Sequence, residues 1–129
     1  MAGRPQVLIV EDDVDIGSAL RDRLVREAFD VTLVKSAADA IEWLDAADPP
    51  CVVLVDLLMP GIVGHSLLRH LRTDVRFASI PVAVVSGAPQ LAPEGYRVFR
   101  KPLDLQPLIE FVRDGCAANG VRDAAPSRA

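Results

Sequence analysis

The sequence predicts an α/β fold in which helices cover both faces of a parallel sheet. Short, continuous apolar runs alternate with segments of helical periodicity along the 129 residues, which is the order expected of parallel strands joined by crossover helices. Hydrophobic residues make up 50% of the chain and the mean hydropathy is +0.26, so the interior is unusually apolar. A sheet buried on both faces accounts for such an interior.

Five apolar runs predict the strands, and the amphipathic segments between them predict the helices. The predicted strands cover residues 7–10, 31–34, 51–55, 80–85 and 98–99. The predicted helices cover residues 14–29, a segment from Ser36 to the stop at 48–50, residues 64–72, and a last helix from near Asp104 to about Asp114.

Local signals fix two of the helix starts. Ser36 with Asp39 three residues later resembles a capping box, although Asp is shorter than the usual Glu. Asp104 can cap the last helix, where Pro107 falls in the first turn, which tolerates proline.

No linker or repeat divides the chain, so we expect one domain over residues 6–114 and a disordered tail over 115–129.

Composition argues against several functions. The net charge of -4 includes no basic cluster, so we expect no direct nucleic-acid partner and no membrane partner. No apolar run reaches the roughly 18–20 residues of a membrane span, and the expected compartment is the cytoplasm. Cys51 and Cys116 lack the paired spacing of a zinc or redox motif, and both are expected to be reduced thiols.

Polar side chains follow four of the predicted strands, at the point where each strand ends. Glu11 and Asp12 follow the first strand, Asp56 ends the third, Ser86 the fourth and Lys101 the fifth. Ligands of an open parallel sheet bind beyond the carboxyl ends of its strands. We therefore expect these five residues to form one site.

The chemistry of this set points to phosphoryl transfer with magnesium. Crowded carboxylates repel one another unless a cation neutralises them, and oxygen ligands of this kind suit Mg²⁺. A carboxylate such as Asp56 can then act as the nucleophile toward a phosphoryl group. Ser86 can donate to one phosphoryl oxygen, and Lys101 can pair with another.

Each feature taken alone has a simpler explanation. Acids after a strand can merely cap the next helix, a serine can simply end a strand, and most lysines at strand ends are solvated. Their coincidence at four strand ends favours the functional interpretation.

The motifs resemble those of response-regulator receivers, the chemotaxis-regulator-like domains of two-component signalling. The resemblance covers about residues 6–114 and rests on Glu-Asp-Asp at 11–13, Asp-Leu-Leu-Met-Pro-Gly at 56–61 with Gly64, Ser-Gly-Ala at 86–88, and Lys-Pro at 101–102. It implies the flavodoxin-like winding with strand order 2-1-3-4-5.

The resemblance also implies a role for each site residue. Asp56 matches the phosphorylated aspartate, and Asp12 matches the direct ligand of Mg²⁺. Glu11 would reach the metal, often through water, and Leu58 would contribute only its backbone carbonyl. Ser86 matches the switch hydroxyl, and Lys101 matches the lysine that pairs with phosphate and precedes a cis proline.

Two departures from the family pattern concern the output of such a switch. Val98 stands where receivers commonly have the Tyr or Phe that swings inward on activation. Residues 87–96, which include Pro89 and Pro93, are too few for the helix that receivers have between strands 4 and 5. We predict that this helix is shortened or missing and that the segment holds at most about one helical turn.

The implied function is that of a phosphorylated switch. A sensor histidine kinase or a phosphotransfer protein would supply the phosphoryl group, a downstream protein of unknown identity would read it, and the chain would catalyse only its own phosphorylation and dephosphorylation. One alternative is a degenerate receiver that acts as a phosphorylation-independent interaction module. A magnesium-dependent phosphohydrolase fits less well, because Leu58 stands where its second acid would be, and a dinucleotide-binding module lacks its glycine-rich loop.

Overall fold

The computed structural model describes residues 4–56 and 63–128, with side chains omitted at 63, 64 and 119–128. Strands and helices alternate along this part of the chain, as predicted. In order they are β1 (Gln6–Val10), α1 (Val14–Arg26), β2 (Asp30–Val34), α2 (Ala37–Ala46), β3 (Val52–Asp56), α3 (Val63–Thr73), β4 (Val82–Ser86), a 3-10 helix (Pro89–Leu91), β5 (Arg97–Arg100) and α4 (Leu105–Arg128).

The strands form one parallel sheet in the order β2-β1-β3-β4-β5, which confirms the predicted fold class and winding. Successive side chains of β1 enter different cores, because a strand points its side chains alternately to the two faces. Val7 and Ile9 pack with residues of α1 and α4, whereas Leu8 and Val10 pack with residues of α2 and α3. Among the described helices, none combines the length and apolarity that crossing a bilayer requires.

The predicted helix caps are present. Ser36 Oγ accepts a hydrogen bond from the Asp39 N–H at 3.0 Å, which satisfies a free donor at the start of α2. Asp104 Oδ1 accepts from the Gln106 N–H at 3.4 Å, at the start of α4. At α1 the cap is Asp13, whose carboxylate accepts from the N–H groups of Asp15 and Ile16. The last of the three acids after β1 therefore starts a helix.

Residues 87–96 contain no α-helix. Their helical structure is limited to the 3-10 turn Pro89–Leu91, with Pro89 at its start and Pro93 beyond its end. This confirms the prediction that the helix between the fourth and fifth strands is shortened or missing and that the segment holds at most about one helical turn. Val98 lies on β5, half-buried against the core under α2 and α3.

The predictions for the end of the chain and for the cysteines need correction. The helix expected to stop near Asp114 continues, because Cys116 is buried in the core under α1 and α4. Cys51 and Cys116 are not reduced thiols but form a disulfide, with their Cα atoms 4.8 Å apart. They are 65 residues apart in sequence, and only the folded path of α4 across the start of β3 makes them neighbours. The division into a domain at 6–114 and a disordered tail at 115–129 stays a prediction.

Candidate functional site

The carboxyl ends of the strands bring the predicted polar residues to one edge of the sheet. Glu11 and Asp12 come directly after β1, Asp56 is the last residue of β3, and Ser86 is the last residue of β4. Lys101 directly follows β5 and is tied to β4, since its N–H donates to the Ser86 carbonyl oxygen at 3.0 Å. The apolar strands behind these residues hold them in place.

Lys101 joins two buried carboxylates. Its Nζ lies 2.8 Å from Glu11 Oε1 and 3.1 Å from Asp56 Oδ2. The side chains of Glu11 and Asp56 are both 3% exposed and that of Lys101 is 17% exposed, so these ion pairs are largely shielded from water. The peptide bond from Lys101 to Pro102 is cis, as the resemblance implies.

Three carboxylates converge around this lysine. Oxygen atoms of Glu11, Asp12 and Asp56 all lie within 4.8 Å of one another, with Asp12 on the exposed side. One ammonium group cannot neutralise three carboxylates. The donor set fits a hard cation such as Mg²⁺, which takes oxygen ligands and keeps several waters.

The crowding changes the protonation of Glu11. Burial, followed by the hydrogen bond and charge of Asp56, raises the pKa of Glu11 to about 7, although Lys101 and the Asp13 N–H act in the opposite direction. Burial alone would lower the pKa of Lys101, but its hydrogen bonds to Glu11 and Asp56 outweigh that effect and raise it. Lys101 therefore stays charged, and the crowding of the buried carboxylates is expressed in the raised pKa of Glu11.

Ser86 is fully buried at the end of β4. Its Oγ accepts a hydrogen bond from the Ala88 N–H at 2.9 Å. The hydroxyl thus connects the sheet edge with the first residues of the 87–96 segment. Leu58, the predicted carbonyl ligand, lies outside the described residues, as does the rest of the motif after Asp56 up to residue 62.

Of the predicted site residues, the structure groups Glu11, Asp12, Asp56 and Lys101, and it places Ser86 at the adjoining strand end. Their roles stay predictions. Sequence reasoning missed the disulfide at the opposite edge of the sheet. The available signal was Gly115 beside Cys116 within a helical pattern, because a glycine inside a helix costs stability and often has a packing reason.

Comparison with known proteins identifies the family. A model of the response regulator receiver domain matches residues 7–113. The chain therefore belongs to the response regulator receiver domain family of two-component signalling. Receiver domains are regulatory rather than enzymes in the usual sense, they bind Mg²⁺, and they interact with histidine kinases and with downstream targets.

Individual relatives are longer proteins. The sensor histidine kinase TmoS of Ectopseudomonas mendocina is 37% identical over 86 residues, which are 67% of this chain and 9% of that protein. The transcriptional regulatory protein BaeR of Escherichia coli O6:H1 is 34% identical over 82 residues, or 64% of this chain and 32% of BaeR. The chain thus spans about a third or less of these curated relatives.

Solved structures agree on the fold. A sensor protein from Polaromonas sp. JS666 matches with a TM-score of 0.77 and 33% identity over 89% of this chain and 98% of that one. The receiver domain of Francisella response regulator 1452 matches with a TM-score of 0.74 over 89% of this chain and 98% of that one. Its 24% identity supports the fold alone.

Proposed function

We propose that this chain accepts a phosphoryl group on Asp56 from a histidine kinase or a phosphotransfer protein and thereby switches a protein-interaction surface. The observation that carries the proposal is the position of Lys101 Nζ, 2.8 Å from Glu11 and 3.1 Å from Asp56 at the carboxyl edge of the sheet. A lysine between two buried acids provides a positive charge at the point where a phosphoryl group would add negative charge.

In the proposed reaction, a carboxylate oxygen of Asp56 attacks the phosphorus of a phosphohistidine. A P–O bond forms, the P–N bond breaks, and its electron pair returns to the imidazole nitrogen. Lys101 would pair with one phosphoryl oxygen, exchanging part of its contact with Asp56 for a contact with the new group. The later loss of phosphate to water would be the only other phosphoryl-transfer reaction of the chain.

Glu11, Asp12 and Asp56 would hold Mg²⁺, together with the Leu58 carbonyl that the resemblance implies. When bound, the ion offsets the negative charge of the carboxylates and of the incoming phosphoryl oxygens. The chain's own contribution is to hold two of these acids buried and oriented on the ends of β1 and β3.

Ser86 supports a route from phosphorylation to a partner. Because Ser86 Oγ accepts the Ala88 N–H bond, a movement of this hydroxyl toward a phosphoryl group would pull on residues 87–96. With Val98 in place of the usual aromatic, we propose that partners read this loop or α1. We place the protein in the cytoplasm, where histidine kinases donate phosphate.

The test is the intact mass of the chain after incubation with a small acyl-phosphate donor and Mg²⁺. The parent should gain one phosphoryl group, and Asp56→Asn should gain none. Asp22→Asn, an exposed acid on α1, is the matched control and should behave like the parent. Equal phosphorylation of Asp56→Asn and the parent would reject Asp56. An unmodified parent that still binds a signalling partner would favour the degenerate receiver.

A further inference from the structure

The amino edge of the sheet carries a second feature with chemistry of its own. Cys51 directly precedes β3, Cys116 lies on α4, and the disulfide between them joins the two elements. Cys116 is 4% exposed, whereas Cys51 is half-buried and within reach of solvent. These are both cysteines of the chain, so its thiol chemistry is confined to this one pair.

Gly115 allows the two elements to come this close. A Cβ at position 115 would lie 2.7 Å from Val52 Cγ2 and 3.3 Å from Pro81 Cγ, so a larger residue would require either the helix or the buried Val52 side chain to shift. The glycine that admits the close approach is adjacent to the cysteine that needs it. The sequence is thus suited to a cross-link at this point.

The reduced pair also has a place in the fold. Cys51 Sγ lies 3.2 Å from the Gln6 carbonyl oxygen, which could accept a hydrogen bond from the thiol once the disulfide is broken. Cys116 lies among the apolar residues of the core under α1 and α4, and a free cysteine packs well in such surroundings. Both thiols of the reduced pair thus have surroundings that suit them.

We propose that Cys51 and Cys116 form a reversible thiol–disulfide site that takes a dithiol as its reaction partner and sets how firmly α4 is held to β3. A chain of 129 residues with a buried core on each face of its sheet does not need a cross-link to fold. The choice of a reversible over a permanent bond rests on the cytoplasmic setting of the proposed function, because disulfides there are usually transient or redox-sensing.

The exchange has a defined direction of attack. A thiolate of the dithiol attacks the sulfur of Cys51, the more exposed of the two, forming a mixed disulfide and releasing Cys116, which takes up a proton. The second thiol of the dithiol then attacks the dithiol sulfur that is bonded to Cys51, and this step releases the Cys51 thiol. The protein gains two electrons and two protons, and the dithiol is oxidised to its internal disulfide.

The experiment uses the full chain, with dithiothreitol as the dithiol and iodoacetamide as the trap. The protein is treated while folded, the reductant is removed, and iodoacetamide is then added together with denaturant so that the buried Cys116 is also accessible. The oxidised protein should take up no adduct, the reduced protein should take up two, and exposure of the reduced protein to air before trapping should restore the first state. Reduction should lower the Tm by on the order of 10 °C, because it frees a long loop in the unfolded chain. Cys51→Ser should have the Tm of the reduced parent, and dithiothreitol should not change it.

Two adducts on protein that was not exposed to a reductant before trapping would overturn the proposal, as would a disulfide that survives dithiothreitol in the folded state. Equal Tm values for the two redox states would also overturn it. If Cys51→Ser does not fold, the trapping and melting of the parent still decide the matter. None of these measurements involves phosphate, so failure of the proposed function and failure of this proposal can be told apart.

Discussion

The two edges of the sheet differ in how they hold the chain together. At the carboxyl edge, Glu11, Asp56 and Lys101 are buried charges that oppose and compensate one another. At the amino edge, Cys51 and Cys116 are joined by a covalent bond among apolar side chains. β3 has one of its ends at each edge. The last part of the described chain also contributes to both, with Lys101 before α4 at the carboxyl edge and Cys116 on α4 at the amino edge.

The two edges should therefore respond to different kinds of substitution. Charges in a shielded site respond strongly to a proton, a cation or a phosphoryl group, because little water screens them. Close-packed apolar surfaces respond instead to changes of volume. Substitutions at the carboxyl edge should therefore act through electrostatics, and substitutions at the amino edge through packing.

The largest effect should come from Lys101→Ala, which leaves Glu11 and Asp56 buried without their shared ammonium group. We expect a loss of about 3 kcal/mol in the free energy of unfolding at pH 8 without Mg²⁺, because breaking a buried pair strands the remaining charge. Lys35→Ala, at an exposed lysine, is the control and should change little. Urea denaturation measures both, and equal stabilities would show that the carboxyl edge is better solvated than its burial indicates.

The pH dependence of the metal-free protein should be the next largest effect. The pKa of Glu11 is raised from 4.5 to about 7 in the folded state, so its contribution to stability is complete below pH 4.5 and is lost as the pH rises through 7. We expect the parent to lose on the order of 2 kcal/mol relative to Glu11→Gln across this window, allowing for partial screening by water.

Other shifted groups titrate outside that window. Hydrogen bonds from Arg76 lower the pKa of Asp74 to about 2, so the contribution of Asp74 to stability is present above its ordinary pKa of 3.8 and is lost only at lower pH.

The Glu11 prediction is checked by denaturant unfolding of the parent and of Glu11→Gln between pH 4.5 and 8, which gives the free energy of unfolding of each. Parallel curves for the two proteins would show that Glu11 does not titrate in this range.

A packing test at the amino edge should give a smaller loss. Gly115→Ala should destabilise the protein by about 1–2 kcal/mol, since the new methyl group would overlap Val52. The matched control is Gly17→Ala on α1, whose Cβ would meet the terminal methyl groups of Leu33 at 3.0 and 3.1 Å. Those methyl groups end a flexible side chain and can shift, so we expect a milder loss. A more stable Gly115→Ala protein would mean that α4 has room to move.

Sequence reasoning succeeded where the place of a residue in the fold follows from its position along the chain. Glu11, Asp12, Asp56, Ser86 and Lys101 each follow an apolar run, and the rule that parallel strands share their carboxyl edge was enough to bring them together. The lack of an α-helix between β4 and β5 was predictable for a similarly local reason, because the segment is short and contains Pro89 and Pro93.

The disulfide could not be obtained in this way. The positions of Cys51 and Cys116 along the chain say nothing about where α4 crosses the sheet, because that crossing depends on packing between residues far apart in sequence. The end of α4 was misplaced for the same reason, since propensity alone cannot show that Cys116 is buried.

The smallest of these effects is the stabilisation by Mg²⁺, which separates the roles of the acids within the carboxyl edge. An ion that binds the folded chain and not the unfolded one should add about 1.4 kcal/mol at tenfold excess over its Kd. Asp12→Ala should abolish this gain if Asp12 is the direct ligand, and Glu11→Ala should only reduce it, because Glu11 already pairs with Lys101. Asp15→Ala, an exposed acid in the first turn of α1, removes the same charge nearby and should keep the full gain. Thermal melts over a Mg²⁺ titration measure all four proteins, and an Asp12→Ala protein that responds like the parent would remove Asp12 from the site.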